Sequence, residues 1–228
     1  MLGTTYSSPG ETRGHGHAPL AYNLAAIAAL VLLLAVAAAY LVDSLGRSEG
    51  TVLPRLEDGD PITQNLTGRE LTIPSSWFRY GEQIRDGFTD EIDLKIRFAP
   101  EGEVAPVMID VTLLPRSRAR TSSSLLDRVY LHQFGEGTLG GVPGLIGKPM
   151  RPAGGYSGES VWYDALSPDP FVAKCLGDLG ATGAGQCVRT VYLPSGIAAV
   201  YTFDAGLLGF WRQFDAEMHR WLSRIGAW

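Results

Sequence analysis

Glu91–Phe98 reads EIDLKIRF and Pro106–Leu114 reads PVMIDVTLL. In the first, Ile92, Leu94, Ile96 and Phe98 alternate with Asp93, Lys95 and Arg97. In the second, Val107, Ile109, Val111 and Leu113 fall on one side. Successive side chains of a β-strand point to opposite faces, so a period of two predicts half-buried strands. The polar turn Glu101-Gly102-Glu103 between them predicts an antiparallel hairpin.

Working outward, the same signal recurs. Leu71-Thr72-Ile73 predicts a short strand upstream, followed by a turn at Pro74–Phe78. Downstream, Leu145–Met150, Ser160–Leu166, Phe171–Leu176, Cys187–Leu193 and Gly196–Phe203 are strand-like and separated by Gly, Pro, Asp and Ser. Two segments carry the helical period instead. Ser123–Phe134 places Leu125, Leu126, Val129, Tyr130 and Phe134 on one face, with Ser124 and Asp127 as an acidic capping box. Gly206–Ile225 repeats Leu207, Trp211, Phe214, Met218, Trp221 and Ile225 at steps of three and four, with charged residues on the remaining surface. The fold class is therefore α+β over residues 70–228: a mostly antiparallel sheet of about six or seven strands with two packed helices.

A different stretch precedes this domain. Ala18–Val42 holds no charged residue and is closed by Asp43. A bilayer core is about 30 Å thick, and a helix rising about 1.5 Å per residue crosses it in about 20 apolar residues. Tyr22 and Tyr40 suit an interfacial aromatic pair. The rival is a cleaved secretory signal ending at Ala37-Ala38-Ala39. Against it, the leading segment carries a single arginine, Arg13, and the apolar run continues through Val42. The sequence thus divides into a disordered tail (1–17), a transmembrane helix (18–42), a polar linker (43–69) and an α+β domain (70–228). Within the span, Ala25, Ala28, Ala35 and Ala39 form a narrow strip of small residues, a candidate helix–helix interface.

Flanking charge does not orient the helix, since Arg13 stands before it and Arg47 and Arg55 after it. Two cysteines, Cys175 and Cys187, decide instead. A pair beyond an anchor predicts a disulfide in an oxidising compartment, hence an outside C-terminal domain and a cytoplasmic N-terminus. The bridge would clamp the bases of a glycine-rich loop, Gly177–Gln186.

Little in the chain points to chemistry. Net charge is −5, which gives no argument for nucleic acid. Gly135–Gly140 matches GxGxxG by letter, but that fingerprint needs a strand before and a helix after, and here the order is helix then loop. Gly154–Gly158 lacks the spacing of a nucleophile elbow. His15 and His17 stand in the tail; His132 and His219 fall on helices without a supporting set. No cofactor is called for. The surfaces that could meet a protein partner are Trp211, Trp221 and Trp228 at the C-terminus and the arginines Arg116, Arg118 and Arg120.

The segment IPSSWFRYGEQIRDGFTDEIDLKIRF, with GYSGESVWYD, the cysteine pair and the terminal helix, resembles uncharacterised single-pass membrane-anchored proteins of alphaproteobacteria. The resemblance covers most of Leu71–Ile225. It implies a bacterial inner membrane with the domain in the periplasm, and brings no activity with it. Two function classes follow. The first is a non-catalytic accessory or assembly subunit of an inner-membrane complex, partnered by other inner-membrane or periplasmic subunits. The second is a tethered periplasmic ligand-binding or sensing module using the sheet and the Gly135–Gly158 loops. An enzyme built on His132 or His219 with a carboxylate stands third.

Overall fold

The computed structural model of the chain describes residues 26–38, 59–100, 105–177 and 185–228. It forms two units, 1–52 and 53–228. In the first, residues 26–38 are a helix, α1, apolar throughout and exposed at every position. The remainder of the span, 18–25 and 39–42, lies outside the described residues, as do the tail, Ala25, Ala39 and the linker up to residue 58. Among the described residues no helix is long and apolar enough to cross a membrane.

The second unit contains the expected sheet. Its seven strands are β4 (Ile92–Phe98), β5 (Val107–Pro115), β6 (Ile146–Pro149), β7 (Glu159–Tyr163), β8 (Val172–Leu176), β9 (Gln186–Tyr192) and β10 (Ile197–Asp204). They lie in the order β4-β5-β10-β9-β8-β7-β6, and every pair is antiparallel. The quoted hairpin pairs as read, Leu94 opposite Val111 and Ile96 opposite Ile109. The turn 101–104 itself is outside the described residues.

A second sheet corrects the domain boundary. Pro61–Leu66, assigned to the linker, is strand β1; it pairs with β2 (Arg69–Pro74) and, in parallel, with β3 (Gly87–Thr89). The alternation of β1 is hidden because Gln64 occupies a core-facing slot between Ile62 and Leu66. It is 3% exposed, and its Nε2 donates to the carbonyls of Gln83 and Arg85 at 2.7 and 3.1 Å. Pro61 is tolerated as the first residue of its strand. The β1–β2 turn places Thr67 (φ 56°) and Gly68 (φ 83°) in the left-handed region, the primed turn that suits the twist of a tight hairpin. Asn65 Oδ1 accepts from Gly68 N at 2.9 Å.

Both helices differ at their starts. The first is α2, Ser122–Arg128, followed after Val129 by a 3-10 turn, Tyr130–Gln133. Its cap is Thr121 rather than Ser124: Thr121 Oγ1 accepts from Ser124 N at 3.2 Å. The second begins as a 3-10 turn, Ala205–Phe210, and becomes regular only over α3, Trp211–Arg224. Asp204 caps Gly206 N at 2.8 Å, and Gly206 and Gly209 disfavour an α-helical start.

The large sheet buries both faces in part. One face, the core-facing residues of the small sheet and α3 share the main core. Phe214 of α3 is fully buried at its centre, with ring centroids 4.7 Å from Phe203, 5.4 Å from Tyr201 and 5.7 Å from Phe98. The opposite face carries a smaller cluster in which Leu126 and Tyr130 pack on Met150, Val161 and Val172. Alternation explains the division, since Val161 and Trp162 are neighbours on β7 and belong to different cores.

Candidate functional site

Three kinds of surface could do work: clefts, exposed apolar positions and charged positions. The disulfide stands beside the larger of two clefts among the described residues. Cys175 and Cys187 are cross-strand partners on β8 and β9, bonded, with Cα atoms 4.0 Å apart and both side chains buried. Of the loop they were expected to clamp, residues 178–184 lie outside the described residues; its two stems are the paired strands.

The cleft, about 620 Å³, lies between the Leu139–Val142 segment, the ends of β7 and β8, and the Ala205–Leu208 turn. Trp162 and Leu208 line it and are almost fully buried. Its polar side chains are engaged within the protein. Lys174 Nζ donates to both Glu159 carboxylate oxygens at 3.1 Å, and Ser160 Oγ accepts from Trp162 Nε1 at 3.1 Å. Beyond the cleft lining, the buried Tyr130 phenol is held above its ordinary pKa, first by burial and then by the Glu159 carboxylate and Tyr156. A smaller cleft of about 420 Å³ lies where Trp77, Pro61 and Pro74 meet Arg224 and Ile225. Neither His132 nor His219 lines either cleft. His132 offers its backbone carbonyl to Arg151, and the His219 ring lies tilted against Trp228 with centroids 4.2 Å apart.

The GxGxxG stretch has a structural use. Gly135 N donates to Pro149 O at 2.7 Å and Leu139 N to Gly147 O at 2.8 Å, so the segment runs beside β6 and covers the sheet's edge. Gly147 leaves no room for a side chain: a Cβ there would meet the Trp162 ring at 2.8 Å and Leu139 Cβ at 2.9 Å.

The expected docking tryptophans separate. Trp221 is buried, edge-on to Trp77 with centroids 5.0 Å apart, and its Nε1 donates to Glu217 at 2.8 Å; it belongs to the core, because Trp77 covers the ring. Trp211 is half-buried against Phe171, and its Nε1 donates to Pro143 O at 3.1 Å. Trp228 alone remains exposed, at 37%. The arginines separate likewise. Arg116 and Arg118 lie in a 3-10 turn after β5 rather than on a strand end. Arg118 pairs with Asp90 and Glu91 at 3.4 and 3.0 Å, Arg116 lies 4.3 Å over the Tyr192 ring, and Arg120 is exposed. Ala28 and Ala35 both fall on α1.

Sequence reasoning missed Phe88. It is 90% exposed, the middle residue of β3, opposite Asn65 of β1. The missed signal was a single apolar residue, Phe88, between Gly87 and Thr89 and flanked by Asp86 and Asp90, too short for a period to show. Its setting matters, because other sheet edges are covered. Phe78 bridges to Leu94 beside β4, Phe134 and Leu139 cover β6, and Thr72 N of β2 donates to Ile225 O at 3.1 Å. Among the described residues no strand or bridge covers the outer edge of β3.

No protein-family model and no curated protein matches the chain. Among solved structures it is similar to an immunity protein of the Stenotrophomonas maltophilia type IV secretion system. The two are 13% identical, with a TM-score of 0.49 over 75% of this chain and 97% of that one.

Proposed function

We propose that the chain is a non-catalytic, membrane-anchored accessory or assembly subunit of a bacterial inner-membrane complex, its disulfide-bonded domain in the periplasm. The observation that carries this reading is the open edge of β3 with Phe88 exposed upon it. An unpaired strand edge is a template for another chain, and proteins ordinarily protect it. Among the described residues other segments cover the edges of β2, β4 and β6, and none covers that of the three-residue β3. The apolar run 18–42 and the bonded cysteines support the placement: the run is long enough to span, and the bond is of a kind that persists in oxidising compartments.

The test is affinity purification of the tagged full chain from native membranes in mild detergent. The reading expects co-eluting subunits at fixed stoichiometry, released by Phe88→Asp while Cys175 and Cys187 stay bonded. Wild-type chain that elutes alone and monomeric overturns it.

The 620 Å³ cleft favours a second reading, a tethered ligand-binding module, since its size is that of a small-molecule site and the Leu139–Val142 segment belongs to the loops assigned to a ligand. Saturable binding of the apolar fluorophore N-phenyl-1-naphthylamine, abolished by Leu139→Glu, is the result this reading requires. A titration that never saturates removes it.

A further inference from the structure

We draw no further inference here: the strongest candidate, the cleft between the Leu139–Val142 segment and the ends of β7 and β8, belongs to the site already described, and nothing in the structure shows what covers its apolar wall beside Gly177.

Discussion

Arg189 of β9 grips Asp215 of α3 with two prongs, Nε to Oδ1 at 3.0 Å and Nη2 to Oδ2 at 2.6 Å. The guanidinium is further held by the Val172 carbonyl at 3.3 Å and lies 4.4 Å over the Phe171 ring. This pair ties the terminal helix to the sheet at a fixed register, since the planar fork fits a carboxylate in one orientation. The two partners are unequal, and that makes the pair testable. Arg189 is 6% exposed, whereas the Asp215 side chain is 47% exposed.

Asp215→Ala therefore strands a buried charge, while Arg189→Met leaves a carboxylate that water can solvate. Breaking a fully buried pair costs about 3–5 kcal/mol, and the exposure of Asp215 lowers that to about 2 kcal/mol. Arg189→Met should cost about 1 kcal/mol, because its side chain still packs on Phe171. Urea unfolding of both variants checks the order. Equal losses would mean that the unequal exposure of the two partners does not set the cost of breaking the pair.

The disulfide closes a separation of twelve residues between two buried sulfurs. In the chain-entropy model a loop of that length contributes about 3 kcal/mol. Cys175→Ala with Cys187→Ala should lower the unfolding free energy by about that amount and leave the circular dichroism of the fold intact. Because neither sulfur is exposed, reductant should act on the native domain only through local opening. Thiol labelling in the presence of reductant should slow in proportion to stabilising conditions.

Gly147 is a packing position disguised as a flexible one. Gly147→Ala drives a methyl into the Trp162 ring and Leu139, so a loss of about 1–3 kcal/mol is expected from overpacking. Gly81→Ala is the control: a Cβ there meets nothing within 4 Å. Its stability should be unchanged or slightly raised. Thermal unfolding of the two variants side by side reads the contrast.

These positions show what the sequence could and could not disclose. The strands of the large sheet were legible because each carries its own period of two, as Ile92–Phe98 does. The terminal stripe was legible for the same local reason. Gln64 was not, because its burial is licensed by the carbonyls of Gln83 and Arg85, which the chain brings back nineteen and twenty-one residues later. Without β1, the parallel partner β3 and its exposed Phe88 had no sheet to belong to. Arg118 read as a free cation because Asp90 and Glu91 lie across the β4–β5 hairpin from it. Trp221 read as a docking residue because its cover, Trp77, arrives from the far end of the domain.

Tyr201 sets an alkaline limit. Burial pushes its phenol above the ordinary value of 10.0; Asp215 pushes the same way and Arg189 partly opposes both. A raised folded pKa means the native state keeps its proton after the unfolded chain has begun to lose it. The contribution is intact below about pH 10 and is lost as pH rises toward the folded value. Unfolding free energy should therefore fall with pH above about 10, and Tyr201→Phe should flatten that fall. Denaturation curves at a series of alkaline pH values measure the slope; identical slopes would assign the fall to other groups.

Trp221 and Trp228 sit seven residues apart and should respond to truncation in opposite ways. Trp221→Ala empties a site packed on Trp77, and removal of a buried aromatic of this size costs about 3–5 kcal/mol. Trp228 keeps 37% of its surface exposed and contacts the exposed His219, so Trp228→Ala should cost under about 1 kcal/mol. If the C-terminus docks on a partner, Trp228→Ala weakens co-purification at nearly unchanged stability, whereas Trp221→Ala weakens it only through unfolding. Measuring both quantities on both variants separates the two causes. Retention of the full complex by Trp228→Ala would leave the β3 edge, tested through Phe88, as the surface on which the partner reading rests.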